Sequence, residues 1–217
     1  MALVIFDLDE TLIDGDCASL WSRRMAELGW VDGESFIRRD TELMARYALG
    51  ELSMEAYMAF SLEPMAGRSV EEVEREVEAY VEDVIEPLIY NDACRTLARH
   101  RAAGDSPLVI SASGVHLVQP IAERIGIQDV LAIDLEVVNG HYTGRTQGVL
   151  TYRDGKIVRL LDWLGGDENP LAAAHFYSDS RNDLPLLHRV GNPHTVNPDP
   201  VLRAEAEKHG WEILAWR

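Results

Sequence analysis

Val4-Ile5-Phe6-Asp7-Leu8-Asp9-Glu10-Thr11-Leu12 decides how the rest of this 217-residue chain is read. A run of strand-forming apolar residues stops abruptly at two carboxylates spaced i, i+2, followed by a hydroxyl and another apolar side chain. An apolar run without alternation predicts a strand buried on both faces, central in a parallel sheet. Open α/β sheets place their chemistry in the crevice beyond the carboxyl ends of the strands, which is where Asp7 and Asp9 fall. Two carboxylates held this close repel each other unless a cation or a shared proton compensates. The pair suits a hard divalent ion such as Mg²⁺, which takes oxygen ligands and keeps part of its water shell. The competing reading is a plain turn capped by two aspartates.

Composition bounds the remainder. With 47% hydrophobic and 26% charged residues, the chain can bury a full core and suits one domain with a sizeable insertion, or two small domains. No apolar run approaches the length of a bilayer-spanning helix, and the N-terminus runs straight into a strand; the expectation is a cytoplasmic protein without a signal peptide. Cys17 and Cys94 are too few for a disulfide framework and lie in no metal-ligand spacing. A net charge of −17 argues against nucleic acid or an anionic membrane as partner. Only two residues are lysines, Lys156 and Lys208, so the place where a lysine falls carries information.

Outward from the first strand, residues 15–86 hold no convincing strand and read as amphipathic helices. They cover about 17–28, about 34–48 (with Met44 and Tyr47 in its apolar stripe), a short piece after Ser53 through Tyr57, and one opened by the capping box Ser69-Val70-Glu71-Glu72. A valine stripe, Val70-Val73-Val77-Val81-Val84, runs along the last. From residue 87 the α/β pattern resumes. A helix at about 92–103 precedes a strand starting at Pro107, which runs into the small-residue turn Ser111-Ala112-Ser113-Gly114. A second helix fills about 115–125. Residues 130–138 alternate and meet Asn139-Gly140, a strong hairpin signal. Lys156 opens a further helix, and a buried strand from Ala172 to Tyr177 leads into Ser178-Asp179-Ser180-Arg181-Asn182-Asp183. Pro200 suits the first position of a last helix that ends at Gly210. The expected architecture is a Rossmann-like, doubly wound parallel sheet: an α/β core of residues 1–14 and 87–217, with a helical cap, 15–86, inserted.

Phe6-Asp7-Leu8-Asp9-Glu10-Thr11-Leu12 resembles the first motif, D-x-D-x-[TV]-L, of the haloacid-dehalogenase-like superfamily. Ser111 at a strand end, Lys156 at a helix start, and Asp179 with Asp183 in S-D-S-R-N-D match the second, third and fourth motifs in order. A helix-only insertion after the first strand is similar to the cap of the branch that includes phosphoserine phosphatases. The resemblance implies a Mg²⁺-dependent phosphatase acting on a small phosphorylated metabolite through an aspartyl-phosphate. Asp7 would be the nucleophile and Asp9 the general acid and base. Ser111 and Lys156 would grip phosphoryl oxygens, and the metal would sit on Asp7, Asp9 and Asp179, supported by Asp183 and Asn182. Asp16, Ala112 and Ser113 are the candidate substrate contacts, and the cap would open about residues 13–15 and 86–87.

Other readings of the same residues stay open. A phosphotransferase or mutase would use the same aspartyl-phosphate, and a non-catalytic phosphate-binding module would be expected to lack a motif carboxylate, whereas none is missing. A dehalogenase would lack the acid at Asp9, because halide needs no proton. Within the resembling branch, phosphoserine phosphatases hold the amino acid with a Glu and an Arg; gapless matching puts Asp16 and Ser61 there, and a serine cannot make the Arg–carboxylate fork. The substrate expected is therefore not phosphoserine. Asp16 would favour one with a cationic group such as an amine or imidazolium.

Overall fold

A computed structural model describes residues 1–49 and 51–217. β1 (Leu3–Phe6) enters the sheet directly and is buried along its whole length. There follow α1 (Cys17–Glu27), α2 (Gly33–Ala48), α3 (Met54–Leu62), α4 (Val70–Tyr80) and α5 (Asn91–Ala102). Then come β2 (Ser106–Gly114), α6 (Val115–Arg124), β3 (Asp129–Val138), β4 (His141–Gln147) and α7 (Asp154–Trp163). β5 (His175–Ser178), α8 (Leu184–Leu187), β6 (Asn192–Val196), α9 (Pro200–His209) and β7 (Glu212–Leu214) complete the chain. The strands form one sheet in the order β4-β3-β2-β1-β5-β6-β7, parallel except for the antiparallel β3–β4 hairpin. Among the described residues no helix is long and apolar enough to cross a membrane.

The two-residue period of β1 explains why it is central. Val4 and Phe6 point into one cluster with Leu97 of α5, Val118 and Ile121 of α6 and the helices of 15–86. Leu3 and Ile5 point into the other, with Leu160 of α7, Leu186 and Leu187 of α8 and Leu202 of α9. Fully burying an aliphatic side chain is worth about 1.5–3 kcal/mol, so a polar substitution on either face of β1 would be severe. β1 pairs with β2 on one side and β5 on the other. The chain winds away from β1 in both directions, and the crevice at the carboxyl ends of β1 and β5 is the topological switch point of the sheet.

Several local details depart from the sequence reading. β2 continues through Gly114 instead of ending at Ser111, because a register shift between Ile110 and Gly114 keeps the small residues within the sheet. β5 begins at His175; Asn169–Ala172, opened by Pro170, is a 3₁₀ turn. The valine stripe does run from α4 into 81–85, but there the coil widens into a π turn. Ser69 caps α4 through the Glu72 N–H, whereas the Glu72 carboxylate pairs with Arg68 at 2.6 Å rather than closing the box. Asn139 and Gly140 have φ of +50° and +76°, the conformation a tight hairpin demands.

Backbone hydrogen bonds tie the helices of 15–86 to the rest beside β1 and at the hairpin. Beside β1, the Asp14 N–H donates to the Leu88 carbonyl, the Tyr90 N–H to Leu12, and the Tyr90 hydroxyl to Asp14. At the hairpin, the Gly67 N–H donates to Tyr142, Tyr142 N–H to Arg68, and Val70 N–H to Gly140, at 2.8–3.0 Å.

Candidate active site

Asp7 directly follows β1, its N–H still donating to the Tyr177 carbonyl of β5, so its side chain leaves the sheet at the switch point. Lys156, in the first turn of α7, reaches across with Nζ 2.9 Å from Asp7 Oδ1 and 2.7 Å from Asp183 Oδ1. Its side chain is 3% exposed, and a buried ammonium persists only with such partners. The two aspartates raise the Lys156 pKa against the opposing effect of burial, so the ammonium is charged throughout the physiological range. Asp183 also accepts from the Ser178 hydroxyl at 2.8 Å. It precedes α8 but makes no capping bond with its side chain.

Thr11 bridges the β1 and β5 loops. Its hydroxyl donates to Asp179 Oδ1 and accepts from the Asp179 N–H, both at 3.0 Å. Asp9 accepts from the Cys17 N–H at 2.7 Å and from the Ser113 hydroxyl at 2.8 Å. Asp16 caps α1 by accepting from the Ser19 N–H, also at 2.7 Å. Ser111 is fully buried; its Oγ accepts from the Ser113 N–H, and it lies behind Ala112 and Ser113 rather than on the cavity wall. The Asn182 amide oxygen accepts from the Tyr152 hydroxyl and from Arg153 Nε.

These residues converge on one cavity of about 240 Å³. Asp7, Asp9, Asp16, Ala112, Ser113, Lys156, Asp179, Asn182 and Asp183 line it, so of the candidate site residues only Ser111 is set back. The structure adds walls that sequence reasoning assigned elsewhere. Met44 and Tyr47 of α2 and Met54 and Tyr57 of α3 face the cavity. In the sequence they belong to helical stripes, and periodicity cannot tell a stripe facing a core from one facing a hole. Glu10 and Asp199 also line it, as does Arg181. Asp199 has a visible signal, since it precedes Pro200: it caps α9 and accepts from the Arg181 N–H.

Carboxylates dominate the electrostatics. Asp7, Asp9, Glu10, Asp16, Asp179, Asp183 and Asp199 face the cavity against the two cations Lys156 and Arg181. Burial pushes the Asp7 pKa up to about 6 despite Lys156. Burial, then Asp9, lifts Asp16 to about 7. Burial raises Asp9 as well, against the Cys17 N–H bond, and raises Asp179 well above the usual range with Asp7 and Asp183 adding repulsion. Asp7 and Asp179 thus form an oxygen-rich, cation-poor corner whose one ammonium is already shared. That donor set fits a hard divalent ion and offers no nitrogen or sulfur ligand for a softer one.

The model of the haloacid dehalogenase-like hydrolase family matches residues 4–188. A protein named histidinol-phosphatase from Neisseria meningitidis serogroup C is 35% identical over 219 positions, covering 99% of each chain. A crystal structure from Bordetella pertussis Tohama I, described as a protein with unknown function, is 38% identical with a TM-score of 0.91, covering 98% of this chain and 97% of that one. A phosphoserine phosphatase solved as a phospho-aspartyl intermediate analogue shares the fold at 19% identity and a TM-score of 0.70, over 99% of this chain and 92% of that one.

Proposed function

This chain belongs to the haloacid dehalogenase-like hydrolases, and from that premise we propose that it is a phosphatase whose substrate is a small phosphomonoester bearing an amine or imidazole, histidinol phosphate foremost. The convergence of Asp7, Asp9, Lys156, Asp179 and Asp183 on a single cavity carries the reading.

Asp7 Oδ2 attacks phosphorus and the ester oxygen leaves, giving an aspartyl-phosphate on Asp7. Asp9, whose pKa burial raises, delivers a proton to the departing alcohol and then takes one from the water that displaces Asp7 from phosphorus and releases phosphate. Lys156 holds Asp7 in place through its 2.9 Å contact and adds positive charge beside the transferring group. Ser111, set back from the cavity wall, would act through the small-residue stretch that it holds, whose Ala112 and Ser113 line the cavity where the phosphoryl oxygens would lie. Asp7, the Asp9 backbone carbonyl and Asp179 would hold Mg²⁺, which would neutralise the phosphate dianion that otherwise repels the nucleophile. Met44, Tyr47, Met54 and Tyr57 shield the reacting atoms from bulk water.

The choice of substrate rests on charge. A cavity with seven carboxylate residues opposes a free substrate carboxylate and favours a cation. The relative from Neisseria meningitidis carries histidinol-phosphatase in its name, and the phosphate ester of histidinol has an amine and an imidazole but no carboxylate. The test is phosphate release from histidinol phosphate, phosphoserine and p-nitrophenyl phosphate, each with Mg²⁺ and with EDTA. The expected order in kcat/KM is histidinol phosphate far above the others, with all activity lost in EDTA and restored by Mg²⁺. Equal rates on phosphoserine would refute the substrate assignment, and full activity in EDTA would refute the metal site.

A further inference from the structure

Where the residue that closes α8 meets the last turns of α9, three donors come together. We propose that His188, Glu205 and His209 form a transition-metal site that takes Zn²⁺, separate from the catalytic carboxylates. Their donor atoms all lie within 4.8 Å of one another. His209 Nε2 is 2.9 Å from Glu205 Oε1, and His188 Nε2 is 3.4 Å from the same oxygen. Zinc bonded tetrahedrally at about 2.0–2.2 Å sets its ligands roughly 3.3–3.5 Å apart, so small side-chain adjustments close the shell.

Two features distinguish this cluster from an ordinary surface ion pair. Two imidazole Nε2 atoms from different parts of the chain converge on a single carboxylate oxygen. The rings are also held in place. The Trp211 indole packs 4.9 Å from His188 and 5.5 Å from His209, and the two imidazoles meet edge to face at 5.3 Å. Glu205 and His209 stand one turn apart on α9, spaced as helical metal ligands are. His188 directly follows α8. Two nitrogens and one oxygen suit zinc and disfavour Mg²⁺, which keeps to oxygen ligands. The competitor is Lys208, whose Nζ lies 3.2 Å from both Glu205 oxygens. Its side chain is 66% exposed and can swing into water, leaving the carboxylate to the metal. The bound ion would staple α8 to α9, with water filling its open positions.

Calorimetric titration of tag-free, EDTA-stripped protein with ZnCl₂ in excess Mg²⁺ tests this. One Zn²⁺ should bind, and His188→Ala and His209→Ala should each weaken it at least tenfold. Both positions are solvent-facing, so the variants should fold and keep Mg²⁺-dependent turnover unchanged. The melting temperature of the unaltered protein should rise with Zn²⁺ and that of the variants should not. Absence of Zn²⁺ binding overturns the proposal. So does binding of unchanged stoichiometry and affinity in both variants, which would locate the ion at the catalytic carboxylates or at the stacked His175–His194 pair.

Discussion

Asp16 does two things that pull against each other. It caps α1 by accepting from Ser19, and it holds a carboxylate in a cavity already crowded with them. Asp16→Asn keeps most of the capping ability. Losing the charge opposite a cationic substrate should cost about 2–5 kcal/mol, a drop of roughly 30-fold to several thousandfold in kcat/KM for histidinol phosphate, while p-nitrophenyl phosphate is nearly unaffected. Equal losses on both substrates would leave Asp16 a helix cap alone. Stability should move the other way. A folded pKa raised from 3.8 to about 7 means that the folded state binds the proton more tightly than the unfolded state. In metal-free protein the Asp16 contribution is therefore harmless below pH 3.8 and increasingly destabilising as pH rises to about 7. Asp16→Asn should raise the melting temperature in EDTA at pH 8, with a gain that shrinks towards pH 5. A gain that grew on acidification would contradict the burial of this carboxylate.

Among the elements, α7 shows how a backbone detail fixes Lys156, which the proposed mechanism uses. A Cβ on Gly155 would stand 1.9 Å from the Leu150 carbonyl oxygen, so Gly155→Ala must push the start of α7 away from the 150–153 loop. Lys156 is the next residue, and its Nζ would leave the gap between Asp7 and Asp183. Overpacking of this kind costs about 1–3 kcal/mol, and kcat should fall at least tenfold. A variant with unchanged kcat would show that Lys156 tolerates displacement. The helix that carries Lys156 was legible in the sequence, as were the Asn139-Gly140 hairpin and the strand ahead of Asp7, because each rests on a local pattern, whereas the place of Lys156 beside Asp7 was implied only by the family resemblance. Thr11, Ser178 and the cavity faces of Tyr47 and Tyr57 were not. Thr11 acts on Asp179, 168 positions away, and no local pattern reports such a partner. The set-back position of Ser111 depends on a register shift against β3, which is likewise a non-local event.

For the molecule as a whole, the question is which part of the helical insertion lets substrate in. A rotation of all of 15–86 about its two connections would break the hydrogen bonds that join 67–70 to the β3–β4 hairpin. It would also break the bond from the Cys17 N–H to Asp9 Oδ1, which ties the insertion to the core. Motion confined to α2 and α3, which carry Met44, Tyr47, Met54 and Tyr57, breaks neither. Hydrogen exchange should therefore find the Gly67, Val70 and Tyr142 amides protected almost as well as β1, with α2 exchanging much faster. Simultaneous exchange of 67–70 and α2 would instead favour rotation of the entire insertion. All of this presupposes that chemistry happens at Asp7, and one substitution tests that most directly. Asp7→Asn is nearly isosteric but cannot form an acyl phosphate. With the native fold confirmed by circular dichroism, it should release no phosphate above background from histidinol phosphate or p-nitrophenyl phosphate in saturating Mg²⁺; release within tenfold of the unaltered enzyme would contradict the nucleophile and the mechanism built on it.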